Sequence, residues 1–248
     1  MERRLDEVVD VMQVPASGDA LVAVLAVAAG PAQREIECDV LVAGGGIGGV
    51  AAALAAARRG CRTCLIEETD WLGGQLSSQG VSALDEHEHI ETFGATASYY
   101  GLRDGLRDHY RGIAGAAGLV ADFNPGDCWV SRLAFEPGVG AQQMRELLAP
   151  HVASGHLRLF LRTKTVAIDT EDERIRWLQA VDLDSHDMVR FHPAVVIDAT
   201  EIGDLLPLAG APYRVGAETM AETAEAHAQP QESKPHCVQS CTYTFACE

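Results

Sequence analysis

The stretch DVLVAGGGIGGVAAALAAARRG, residues 39–60, constrains the fold more than any other part of the chain. An apolar strand around Val40, Leu41 and Val42 runs directly into Gly44, Gly46 and Gly49 and then into an alanine-rich helix. In such a strand–turn–helix unit Gly44 permits the tight turn, Gly46 admits a close backbone approach, and Gly49 lets the helix pack against the strand. The helix start offers free N–H groups and partial positive charge, which suit a dinucleotide diphosphate. Gly44, Gly46, Ile47, Gly48 and Gly49 are therefore the candidate diphosphate contacts. Small residues at 51–53 and 55–57 keep the helix near its sheet.

Residues 61–66 read as a second, mostly apolar strand that ends in Glu67, 23 residues beyond Gly44. A carboxylate at that point accepts hydrogen bonds from both ribose hydroxyls of an adenosine and repels a 2′-phosphate, which disfavours NADP. A second glycine pair, Gly73 and Gly74, follows within EETDWLGGQLSSQGVSALDEH. NAD-binding folds have no systematic need for it, whereas an extended FAD reaches a second loop with its diphosphate. A third apolar strand, residues 194–199, continues as DATEIGDLLPLAG, with Thr200, Gly203 and Asp204 at its turn.

These features resemble the two-dinucleotide-binding flavoprotein superfamily, in which an acid followed by GG, and later an "ATG, then GD" segment, return the chain to the cofactor. With NPGDCWVSRLAFEP (residues 124–137) and PLAGAPYRVGAE (residues 207–218), the chain resembles FAD-dependent oxidoreductases related to the flavin subunit of heterodisulfide reductases, over residues 36–248. The pattern departs from the family at Glu201, where glycine is frequent. The resemblance implies FAD as cofactor and an α/β, Rossmann-like FAD-binding domain with a parallel sheet and an inserted three-stranded β-meander. It also implies that the backbone of Val166 holds the adenine edge, and that Thr200, Gly203 and Asp204 lie at the cofactor.

At 248 residues the chain is long enough for one sizeable core or a core plus a small second unit. A net charge of −17 argues against nucleic acid or an anionic membrane as partner. No apolar run reaches the roughly 20 residues of a membrane span, and the acidic residues among positions 1–19 argue against an export signal. Seven cysteines without framework spacing suit a reducing compartment, so a cytoplasmic location is expected. Cys61 and Cys64, three apart in a strand, face opposite sides of a sheet and are not expected to pair or chelate. The terminal Cys237, Cys241 and Cys247 lack a four-thiolate iron–sulfur spacing, so clusters of the kind used by the resembled enzymes would sit on a partner.

The remaining chain divides into a short amphipathic helical appendage at 1–14, a connector to 35, the FAD-binding unit at 36–210, and the start of a second, substrate domain at 211–248. Within the FAD-binding unit, residues 91–118 read as a helical insertion and residues 163–192 as the β-meander. Arg103, Arg107 and Arg111 fall on one helical stripe and are expected to be a solvated face paired with Asp104 and Asp108. Residues 219–236 read as a polar loop, followed by strand-like alternation. With no segment to return and cover a flavin ring, the chain looks like the N-terminal half of such an enzyme.

Catalytic candidates are few. Cys128, Trp129 and Arg132 are either substrate-side groups, as a thiol, a stacking surface and a carboxylate clamp, or else core residues and a structural ion-pair partner. His87, in DEHEH, is a candidate general acid/base, although a plain solvent loop fits this acidic segment better; no metal site is expected. Two functions follow. One is an FAD-dependent oxidoreductase passing a hydride or electron pair through flavin N5 between a small-molecule substrate and an electron-transfer partner such as an iron–sulfur subunit. The other is an incomplete nucleotide-binding fragment or subunit that needs a further segment or chain.

Overall fold

Where a short helix was expected, the chain opens with strands: β1 (Glu2–Arg4), β2 (Glu7–Val9) and β3 (Val24–Ala26). The computed structural model describes residues 1–113 other than 16, 29 and 82, residues 123–240, and residue 244. β2 and β3 form an antiparallel hairpin, with Val8 opposite Leu25, while β1 adds to the edge of a large sheet. Val8 and Val27 are buried against Val166, Val181, Leu183 and Met188. The apparent helical spacing of Leu5, Val8, Val9 and Met12 loses to this long-range pairing, because the β-branched Val8 and Val9 fit a half-buried strand.

The elements that follow are β4 (Arg34–Ala43), α1 (Ile47–Arg58), β5 (Thr63–Ile66), α2 (Ala97–Ile113), α3 (Pro137–Ala153), β6 (Leu157–Phe160), β7 (Thr163–Glu171), β8 (Arg174–Asp182), β9 (Met188–Asp198), α4 (Leu205–Ala209) and α5 (Met220–Thr223). Seven strands form one sheet in the order β1-β7-β8-β9-β4-β5-β6. β4 lies parallel to β5 and β9, and β5 parallel to β6, so the expected βαβ unit and parallel sheet are present. β7, β8 and β9 form the antiparallel meander. The meander is not a detached excursion: β9 is one strand of 11 residues, pairing with β8 over its first part and with β4 along its length. Pro193 sits beyond the last β8 pairing at Phe191, where β9 has lost one neighbour and a missing N–H is tolerated.

Both faces of the sheet are covered. Val42, Leu65 and Leu157 pack against Val50, Ala53, Leu54 and Ala57 of α1, Leu102 and Leu106 of α2, and Met144 and Leu148 of α3. Leu41, Cys64, Ile66, Ile168 and Phe191 form the other layer with Leu205 and Leu208 of α4. Alternation along β4 sends Leu41 and Val42 to opposite layers, as a doubly covered sheet requires. Cys64 is buried in the same layer as Cys38 of β4, whereas Cys61 precedes β5. Among the described residues no helix is long and apolar enough to cross a membrane.

The arginine stripe on α2 is not a solvated face. Arg103 is 1% exposed and is bound by the carboxylates of Glu86 and Glu91. Arg107 donates to Glu91 at 2.8 Å and to the Phe123 carbonyl at 2.9 Å, and only Arg111 pairs on its own helix, with Asp108. The acidic segment after the second glycine pair folds over α2, anchored by buried Leu84 and Ile90, and brings its carboxylates to the arginines. The expected helix at 91–118 is shorter at its start; residues 114–122 lie outside the described part. In the last segment Thr219 and Glu222 form a capping box that starts α5 inside the expected polar loop. Residues 237–240 are not in a strand, and most of the expected terminal strand lies outside the described residues.

Asp10 ties the opening strands to the sheet. It accepts from both terminal nitrogens of Arg162, at 2.8 and 2.5 Å, and this pairing holds its carboxyl below the usual range.

Two stability predictions follow from these pairs. Arg103→Ala strands two carboxylates in a buried setting and is expected to lower the unfolding free energy by about 3–5 kcal/mol, read by urea titration. Asp10→Asn is expected to cost about 2 kcal/mol at pH 7. Because the folded value of Asp10 is depressed, its contribution is complete above the ordinary carboxylate range near about pH 4 and is lost as pH falls through the lower folded value. The difference between wild type and Asp10→Asn should therefore shrink in titrations at about pH 3.

Candidate functional site

The site begins where β4 ends. Gly44 has φ +99, and a Cβ there would lie 2.1 Å from the Ala199 carbonyl oxygen, so only glycine fits. At Gly49 a Cβ would lie 1.9 Å from the Gly44 carbonyl oxygen, which fixes how closely α1 returns to the turn. Gly46, the residue preceding α1, differs from both. Its φ of −61 suits any residue, and an added Cβ would meet only the Glu201 side chain, at 2.9 Å. The fold itself does not demand glycine at 46. The first turn of α1 carries no acidic residue, leaving its N–H groups toward that turn.

The second glycine pair is joined to the first loop. Gly73 N–H donates to the Gly45 carbonyl at 2.8 Å, and Gly73 forms an isolated parallel bridge with Gly46. Gly73 and Gly74 have φ of +121 and +54, both in the left-handed region. An added Cβ on Gly74 would sit 3.1 Å from the Gly46 Cα, so the two loops form one continuous side-chain-free surface.

Glu67 closes the same corner. Its Oε2 accepts from Gly45 N–H at 2.6 Å, and its Oε1 accepts from the backbone and hydroxyl of Thr69, each at 2.8 Å. Burial pushes its carboxyl up, against the pull of these donors. Beside it opens a cavity of about 240 Å³ lined by Gly44, Glu67, Glu68, residues 163–165, residues 200–202, Asp204 and Val11. The Thr200–Asp204 turn is held from below: Asp198 accepts from the Thr200 backbone and hydroxyl and from Leu205 N–H, and Thr200 Oγ1 accepts from Asp204 N–H at 2.7 Å. Gly203, with φ +74, makes the bend. Burial raises the Asp204 carboxyl, opposed by Lys164, which itself forms an ion pair with Glu68.

The structure thus gathers Gly44, Gly46, Glu67, Gly73, Gly74, Thr200, Gly203 and Asp204 around one corner, with Ile47, Gly48 and Gly49 at the start of the adjoining helix. Val166 stands apart. It is buried with Val8 and Val27, and its carbonyl accepts from Leu5 N–H at 2.8 Å, so its neighbours Lys164 and Thr165 line the cavity instead. His87 is exposed, its ring edge-on to His89 and tilted against Phe93, and it does not line the cavity. Neither Cys128 nor Arg132 lines it. Trp129, read alternatively as core, is 94% exposed. Glu68, Lys164, Thr165 and Val11 were not anticipated; the one signal for Lys164 is that it is one of only two lysines in the chain.

A family model described as FAD dependent oxidoreductase matches residues 39–245. The chain belongs to this family. A Bacillus subtilis (strain 168) protein named "Putative Rieske 2Fe-2S iron-sulfur protein YhfW" is 28% identical over 129 residues, covering 49% of this chain and 24% of that protein. Among solved structures, the rebeccamycin biosynthetic enzyme RebC with reduced flavin has a TM-score of 0.44 at 18% identity, over 71% of this chain and 35% of that one. Mycobacterium smegmatis Sdh1 in complex with UQ1 has a TM-score of 0.43 at 14% identity, over 67% and 34%. The chain spans about a quarter of the length of the curated relative and about a third of these solved chains.

FAD is the coenzyme of an FAD dependent oxidoreductase, and the residues present fit it: a glycine surface that side chains would fill, an adjoining helix N-terminus, and the half-buried acid Glu67 at the cavity edge. The two glycines of the first loop separate folding from binding. Gly49→Val places its Cβ against the Gly44 carbonyl and is expected to abolish cooperative folding in circular dichroism melts. Gly46→Val is expected to melt like wild type and to lose FAD binding in a fluorescence titration.

Proposed function

We propose that the chain is the FAD-binding part of an oxidoreductase, in which Glu67 holds the adenosine ribose and the joined loops at Gly46 and Gly74 hold the diphosphate. The observation that carries this reading is the hydrogen bond from Gly73 to Gly45, which joins two otherwise separate glycine turns into one surface beside the half-buried Glu67. Thr200 and Asp204 then face the part of the coenzyme beyond the diphosphate, and Lys164 and Thr165 the adenosine end. FAD supplies the transfer of a hydride or electron pair to or from a small-molecule substrate. The protein's part is to bind and orient it. The name of the Bacillus subtilis relative supports an iron–sulfur protein as electron partner.

A second reading, a subunit that completes its reaction centre with further protein, is favoured by one feature. His87, Cys128 and Arg132 all lie off the cavity, and Trp129 and Val130 are 94% and 56% exposed beside them in sequence. On that reading FAD binds, yet the bound flavin turns over only when another protein is added.

The test is the visible spectrum of the purified chain, with and without added FAD. Retained flavin bands that bleach on anaerobic addition of dithionite are expected. A colourless protein that cannot be reconstituted with FAD contradicts the proposal.

A further inference from the structure

We propose that Glu201 is an internal anion that occupies the diphosphate cradle and has to leave it before FAD binds. The inference rests on the reading that the joined glycine loops take the diphosphate. Glu201 Oε1 lies 2.9 Å from the position a Cβ would take on Gly46 and 2.5 Å from that on Gly74. Apart from this one side chain, an added Cβ on Gly46 meets nothing within 4 Å. One carboxylate therefore fills the opening shared by both loops. It places negative charge beside the glycine backbone at Gly46 and Gly74, where among the described residues no N–H donates to it.

The root of Glu201 is rigid and its tip is loose. The neighbouring Thr200 is fixed through Asp198 and Asp204. Among the described residues the Glu201 carboxylate forms no ion pair or side-chain hydrogen bond. Its side chain can thus swing outward without breaking a partner contact, and Glu201 is exposed to solvent at the site. A diphosphate and this carboxylate cannot share the cradle, because like charges at contact distance repel strongly in a partly desolvated site. Binding is consequently reduced by the fraction of molecules in which Glu201 lies inside the cradle. This gives position 201, where the resembled pattern has glycine, a role in setting affinity for the diphosphate part of the ligand and not for its adenosine.

The test titrates the full chain and its Glu201→Gln and Glu201→Gly variants with FAD by fluorescence, and with ADP and adenosine by calorimetry. The expected result is that both variants bind FAD and ADP about tenfold tighter than wild type while adenosine affinity is unchanged. Unchanged or weaker FAD and ADP binding in the variants overturns the proposal. So does equal tightening for adenosine, which would place the effect outside the cradle. Absence of FAD, ADP and adenosine binding in all three proteins defeats the coenzyme reading itself, an outcome distinct from failure of the Glu201 proposal alone.

Discussion

The approach of α1 to the turn at Gly44 is the constraint on which the rest of the structure depends. With Gly49 facing the Gly44 carbonyl and Gly44 facing the Ala199 carbonyl, the ends of β4, α1 and β9 meet with no side chain between them. That meeting point lies at the carboxyl ends of the parallel strands, where open α/β sheets place their ligands. Glu67 at the end of β5 and the Asp198–Asp204 turn at the end of β9 reach the same corner because their strands flank β4 on either side. Replacing either glycine by a larger residue would push the helix away and pull this corner apart.

The electrostatics of this corner are local. A chain with a net charge of −17 does not steer an anionic coenzyme from a distance. The cavity itself carries Glu67, Glu68, Asp204 and Glu201 against Lys164. On the proposed reading, attraction for a diphosphate would come from backbone N–H groups within a few ångströms, at the start of α1 and at the second glycine loop. Those donors act only at contact, so the exact shape of the glycine surface matters more than the surrounding charge. The raised carboxyls of Glu67 and Asp204 fit the same picture, since both are held in a partly dry setting that a polar coenzyme would share.

The sequence made the βαβ unit, the second glycine pair and the meander legible, because each is imposed by backbone geometry that few residues satisfy. What it hid depends on partners far along the chain. The opening strands form because β1 finds β7, with Arg3 opposite Ile168, and no local periodicity reports such a pairing. The arginines of α2 are buried because Glu86 and Glu91 sit on a loop that folds over them. The resemblance points to Val166, but its carbonyl accepts from Leu5 of that same opening segment. Glu201 was visible as a departure from pattern, while the direction of its side chain, into the glycine cradle, belongs to the three-dimensional structure alone.

The most direct measurement is an amide-resolved NMR titration of the deuterated chain with ADP. The account predicts saturable shifts concentrated on the backbone N–H groups of Gly46, Ile47 and Gly74, with smaller shifts at Lys164 and Thr165. Binding that leaves the Gly46 and Gly74 amides unmoved, with the shifts gathered elsewhere on the sheet, would contradict it.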